Sequence, residues 1–245
     1  MVTKQDVFNL LQGLGIKSGD TVLIHTSMRA IGGVEGGCDG LIDAFCEYLS
    51  EGLFIIPTHT WDVVDERSPY FDVSVTRPNI GALPTVAAFR RDGVRSLHPT
   101  HSVAAFGKRA AEYVKGEEKL TTPCPPDGCW GRLYSENAKI LLIGVTLNRN
   151  TYIHAVDEMI ELPGKLENPF DLTITDSNGR KISSVMYHHS PEAHSDNFDR
   201  YRPYLEEGGA LSYAKLGNAV VYCCKAVECH NVIKNLWQKG GIDLA

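Results

Sequence analysis

The 245-residue sequence has no apolar run near the roughly 20 residues a membrane-spanning helix needs, so no membrane partner is expected. It also lacks an excess of positive charge. A formal charge of −6 argues against a nucleic-acid surface and is mildly favourable for a cationic partner. There is no leader-like segment either, because MVTKQDVFNLLQGLGI reads as an amphipathic helix and not a signal peptide. A cytoplasmic protein is the expectation. Seven cysteines are an odd count and too sparse for a disulfide scaffold, so free thiols in a reducing compartment are expected. No repeat, low-complexity tract or linker divides the chain. Its length suits one α/β domain over residues 1–245 with a small lobe at about 163–215.

What the chain does have is a series of short apolar runs ended by polar elbows. Thr3 and Asp6 form a capping box ahead of a helix that buries Val7, Leu10, Leu11 and Leu14. Thr21 to Ile24 is a buried strand feeding His25-Thr26-Ser27-Met28-Arg29 and the glycine-rich Ile31 to Gly37, before a helix from about Cys38 to Ser50. Backbone N–H groups in such a turn can meet an anionic or carbonyl ligand. The spacing is neither a Walker loop nor a dinucleotide fingerprint, and a capped loop explains it slightly better. Leu53 to Ile56 is a second buried strand, Asp62 to Asn79 a long loop over one face, and Gly81 to Arg91 a helix. HPTHSVAAFG, His98 to Gly107, then lies between two helices. His98 and His101 could both ligate, but no carboxylate or cysteine stands at helpful spacing, so no metal is expected. Cys124 and Cys129, and Cys223, Cys224 and Cys229, lack paired C-x-x-C spacing and read as buried thiols.

The stretch Lys139 to Met159 is the most informative. Ile140 to Val145 is an apolar run suited to a strand buried on both faces, ended at Gly144, and Thr151 can cap a helix carrying His154, Asp157 and Glu158. That spacing puts an imidazole and a carboxylate on one face, as an α/β enzyme presents a base at the carboxyl end of its sheet. Spacing alone favours the plainer reading, a helix with a solvated acidic first turn and an incidental histidine. Beyond it, Phe170 to Thr175 and Lys181 to Met186 form a hairpin tipped by Asn178-Gly179, leading to His188, His189 and His194. A charged helix follows from about Phe198 to Glu207. Strands at Ala210 to Tyr213 and Asn218 to Cys223 and a helix from about Lys225 to Gln238 close the chain.

Four stretches in register, HTSMRAIGGVEGG, the Pro57-Thr58 strand end, HPTHSVAAFG and LLIGVTLNRNTYIHAVDE, resemble the aminoglycoside 3-N-acetyltransferase, or antibiotic acetyltransferase, family. The resemblance runs from about Thr3 to the C-terminal helix. It implies an α/β protein of three layers, α/β/α, with a mixed central sheet. It also implies an acyltransferase that moves the acetyl group of its co-substrate acetyl-CoA to a small-molecule amine, in the best-known members on a 2-deoxystreptamine ring. Carried over, Thr26, Ser27, Met28, Arg29 and Gly32 would line the pantetheine and phosphate end, and Ser102, Val103 and Ala104 would bond along the pantetheine arm. His154 stands at the catalytic histidine as general base, Asp157 matches the acid three residues later, and Glu158 is an additional acid. His189 is a second acid/base or acceptor contact, or equally a structural histidine.

A base suits this chemistry, because an amine with a pKa near 10 is mostly unreactive ammonium at neutral pH. A neighbouring carboxylate would raise the His154 pKa and orient its ring. Many members carry Asp-Ser-Asn-Thr where this chain has Asn148-Arg149-Asn150-Thr151, a change that disfavours a polycationic acceptor. Two other classes remain: a thioester or amide hydrolase using His154-activated water or Ser102, and a CoA-binding protein without turnover. Against the hydrolase, Ser102 lies outside a Gly-x-Ser-x-Gly elbow. A homodimer is expected only from the frequency of two-fold oligomers.

Overall fold

The computed structural model describes residues 1–193 and 195–240, the Glu192 side chain excepted, so His194 lies outside the described residues. Its strands are β1 (Thr21–Thr26), β2 (Leu53–Pro57), β3 (Tyr70–Asp72), β4 (Gly93–Arg95), β5 (Val103–Phe106), β6 (Lys139–Ile143), β7 (Leu166–Thr175), β8 (Lys181–His189), β9 (Leu211–Leu216) and β10 (Ala219–Lys225). Its helices are α1 (Lys4–Gly13), α2 (Met28–Ile31), α3 (Gly37–Tyr48), α4 (Ala82–Ala88), α5 (Ala110–Tyr113), α6 (Cys129–Ser135), α7 (Tyr152–Met159), α8 (Arg202–Glu207) and α9 (Ala226–Lys239).

Seven strands form the main sheet in the order β4-β5-β2-β1-β6-β10-β9, with β2, β1 and β6 mutually parallel and the outer pairings antiparallel. Strand alternation sends Leu23, Ile55 and Leu142 into one core with α6, α7 and α9, and Val22, Ile24, Phe54 and Leu141 into the other with α1, α3 and α4. The fold is therefore three layers, α/β/α, around a mixed sheet. Each fully buried aliphatic side chain contributes about 1.5–3 kcal/mol, so these central strands are the stable base on which their carboxyl ends are held. Gly144 ends β6 with φ +69°, and an added Cβ would stand 2.4 Å from the Ala30 Cβ, so α2 can seat closely only against glycine. Among the described residues no helix is long and apolar enough to cross a membrane.

The capping box is present, Asp6 N–H donating to Thr3 Oγ1 while Thr3 N–H donates to Asp6. Three sequence expectations are corrected. HPTHSVAAFG does not simply lie between two helices, because β4 precedes it and its Val103–Phe106 is β5, paired with both β2 and β4; all four residues are buried, so no polar alternation marked the strand. Thr151 makes no side-chain cap and is itself helical; Thr146 caps the 3-10 turn Leu147–Arg149 that precedes α7. Asp62 to Asn79 is not simply a loop, because it contributes β3, parallel to β7, and buries Val64 and Phe71 with Phe170, Leu172, Ile174 and Met186. The resulting three-stranded sheet, β3-β7-β8, is a small unit over the carboxyl ends of the main strands, whereas β9 belongs to the main sheet.

Candidate active site

The polar elbows after β1, β2 and β6 converge, with the turn before β5 and the end of β8, on a cavity of about 560 Å³. That position, beyond the carboxyl ends of parallel strands, is where α/β sheets bind ligands, and the volume lies within the roughly 300–1,000 Å³ range of small-molecule sites. Its walls are largely apolar, from Ile24, Ile56, Leu83 and Pro123, with histidines as the main polar component.

The imidazoles form a chain. His154 stacks on His189 with centroids 4.0 Å apart, His189 meets His101 edge-on at 5.2 Å, and His101 lies 4.7 Å from His59. Trp130 backs the group, 5.3 Å from His59 and 6.0 Å from His25. Burial holds all of them neutral. It pushes His25 and His189 down to about 3, and pushes His59, His101 and His154 well below the ordinary histidine value. For His154 the further causes are His189, His59 and Lys165. His154 is 8% exposed, and its buried Nδ1 makes no hydrogen bond among the described residues; the same holds for His59 Nε2 and Thr26 Oγ1. Buried polar atoms without partners, gathered around a cavity, are suited to meet polar groups of a ligand.

Both acids lie on α7, as the sequence expects. Glu158 faces away from His154, accepting from Thr122 Oγ1 at 2.5 Å and from the Cys124 N–H at 2.7 Å. Among the described residues Asp157 Oδ1 and His154 Nδ1 both lack a hydrogen-bond partner, and no carboxylate is among the causes that shift the His154 pKa. Burial instead pushes each acid up to about 7, offset at Asp157 by Lys165 and Arg200 and at Glu158 by the Thr122 and Cys124 hydrogen bonds. Shared helical spacing gives these side chains one broad face, but Glu158 is engaged by Thr122 and Cys124.

The structure splits the expected cofactor residues. Thr26 lines the cavity, while Ser27 caps α2 through the Ala30 N–H, Arg29 is exposed, and Gly32 at φ +92° lies against Asn218. Met28 packs partly into the core on the α1 side of the sheet. Ser102, Val103 and Ala104 have polar groups engaged inside the protein. Ser102 Oγ donates to the Thr58 carbonyl at 2.7 Å and accepts from Arg95 Nε at 3.3 Å; the Val103 N–H donates to Ser96 Oγ at 3.1 Å; Ala104 sits between β2 and β4 in the ladder.

The histidines after the hairpin alternate as strand residues must. His189 lines the cavity against His154, whereas His188, which also borders it, stacks on Phe170 and meets Glu66 at 2.9 Å. His98 is structural: its Nδ1 accepts from the N–H groups of Thr100 and His101, so its Nε2 carries the proton toward the Thr122 carbonyl at 2.9 Å. Sequence reasoning missed His25, His59, Trp130 and Tyr187 as site residues. A histidine at or just beyond the end of an apolar strand was the available signal for the first two. It also judged that no cysteine stood near His101, yet folding brings Cys124 there.

Comparison with known proteins agrees with the fold. The aminoglycoside 3-N-acetyltransferase family profile matches residues 23–238. Aminoglycoside N(3)-acetyltransferase VII of Streptomyces paromomycinus is 31% identical over 182 residues, 67% of this chain and 63% of its own length. Aminoglycoside N(3)-acetyltransferase IX of Micromonospora chalcea is 30% identical over 199 residues, 74% of this chain and 70% of its own. The structure of AAC-IIIb, a binary complex with CoASH, superimposes with a TM-score of 0.84 over 97% of each chain at 19% identity.

Proposed function

This chain belongs to the aminoglycoside 3-N-acetyltransferase family, and from that premise we propose that it transfers the acetyl group of acetyl-CoA to a small-molecule amine, with His154 as general base. The base is assigned by position: His154 stands on α7, which follows β6, where the family resemblance puts the catalytic histidine, and it is a neutral imidazole lining the cavity with a buried, unpartnered nitrogen. The AAC-IIIb complex with CoASH supports the cofactor. As the amine attacks the thioester carbonyl, a C–N bond forms, His154 takes the amine proton, and collapse of the tetrahedral intermediate breaks the C–S bond and releases CoA. Such a base contributes roughly 10²–10⁴-fold. The unpartnered Thr26 hydroxyl in the same cavity is suited to donate to the developing oxyanion.

The acceptor we infer carries few charges. Glu167 is the one acid among the described lining residues, and exposed Arg149 adds a positive charge, so a polycationic amine meets little compensation. An aminoglycoside, which the curated relatives are named for, is the second candidate. The hydrolase reading loses Ser102 as its nucleophile, because that hydroxyl is held by Thr58 and Arg95 and not by a histidine, and it keeps only water activated by His154.

The test is CoA release from acetyl-CoA across a panel of monoamines, amino sugars and aminoglycosides. Release that requires an amine, with singly charged amines turned over best, is the expected result. Amine-independent release would establish hydrolysis, and acetyl-CoA binding without release would remove the catalytic reading.

A further inference from the structure

His101, Cys124 and His189 reach one point from three separate segments. The Cys124 sulfur and one nitrogen of each ring lie within 4.8 Å of one another. Tetrahedral zinc, with bonds of about 2.0–2.3 Å, needs its ligand atoms roughly 3.5 Å apart, so side-chain adjustments of about an ångström complete the geometry.

Each of the three has a donor atom available. His101 Nδ1 pairs with Thr100 Oγ1 at 3.0 Å, which leaves Nε2 for a ligand and fixes the orientation of the ring. Both His189 nitrogens are buried and make no hydrogen bond of good geometry. Cys124 is fully buried, and Glu158 clamps its segment through the Cys124 N–H and the Thr122 hydroxyl. His98, by contrast, has both ring nitrogens committed to backbone groups.

We propose that His101, Cys124 and His189 form a three-ligand site for a zinc-class divalent cation, with the fourth coordination position open to the cavity beside His154. One thiolate and two imidazoles are the borderline-soft donors that zinc takes, and magnesium or calcium would need oxygen ligands. Binding exchanges the Cys124 thiol proton for a sulfur–metal bond and releases that proton to solvent. Because His101 and His189 line the cavity while Cys124 approaches from behind, the open position would take water or a substrate oxygen. Three protein ligands with one open place is the pattern of catalytic zinc and not of closed structural sites.

Metal content tests this independently of acetyl transfer. Tag-free protein would be analysed as purified, then stripped with a chelator and titrated with Zn²⁺ and Co²⁺. The expected result is one ion per chain, with thiolate-to-cobalt charge-transfer absorption and the intense visible bands of four-coordinate cobalt. Cys124→Ser should abolish the thiolate absorption, and His189→Ala should weaken zinc binding by more than about 100-fold, beyond the loss typical of an outer-shell residue. Zinc binding no tighter than to unfolded chain, or bound cobalt without thiolate absorption, would overturn the site. Both are measured on the wild-type protein and stand even if a variant fails to fold.

Discussion

Arg149 lies exposed at the cavity, two residues before the helix turn that brings His154 inward, and it tests the acceptor at the level of a single charge. One charge near a surface is worth about 1 kcal/mol against another a few ångströms away, and reversing its sign doubles the change. Arg149→Asp is therefore expected to lower KM for a polycationic amine by about tenfold while moving KM for a monoamine two- to threefold. The difference should shrink as salt is added. Steady-state kinetics at two ionic strengths checks this; equal effects on both amines would remove Arg149 from acceptor selection. At this scale the sequence showed His154 as a candidate but not its neighbours. Asp157 and Glu158 stand at helpful spacing, yet Glu158 serves the Thr122–Cys124 segment and His154 is flanked by imidazoles from residues 59 and 189. Partners chosen by tertiary packing leave no trace in local spacing.

Elements hold the site through buried polar ties that cross between segments. Arg95, at the end of β4, donates to the Val73, Thr76 and Thr58 carbonyls and lies 5.1 Å from the Phe71 ring, so one guanidinium binds the β3 segment to the main sheet. Glu117 does similar work for α6, accepting from the Cys129 N–H at 2.8 Å and so fixing the helix that carries Trp130. Burial pushes the Glu117 carboxyl up to about 7, against the Cys129 hydrogen bond and Arg132. With a folded pKa above the unfolded one, the native state binds the extra proton between about 4.5 and 7. This contribution to stability is present at low pH and lost as pH rises through 7. The loss for one such group is on the order of 3 kcal/mol. Glu117→Gln keeps the acceptor without the ionisation, so its stability relative to wild type should increase from pH 5 to pH 8 in denaturant melts. A constant difference would show that Glu117 does not titrate this way. The strands around Thr21–Thr26, Leu53–Pro57 and Lys139–Ile143 were legible as apolar runs with polar ends, and the β7–β8 hairpin through its Asn-Gly tip. β3 and β5 were not, because three or four residues carry too little pattern to separate a strand from a connector.

For the whole molecule, the topology explains why these residues act together. Parallel β2, β1 and β6 deliver His59, Thr26 and the His154 helix to one end of the sheet, and the β3-β7-β8 unit brings His189 in from above. No local motif could reveal that convergence, which spans residues 25 to 189; the order and spacing of four family-like stretches did reveal the fold. The central claim is that one neutral, buried imidazole takes the proton from the attacking amine. The most direct measurement compares wild type and His154→Ala for turnover with an accepted amine and for acetyl-CoA affinity. The account predicts a fall in kcat of about 100- to 10,000-fold with acetyl-CoA Kd held within a few-fold, because the lost interaction belongs to the transition state. A variant that turns over at the wild-type rate, or one whose loss is entirely in acetyl-CoA binding, would contradict it.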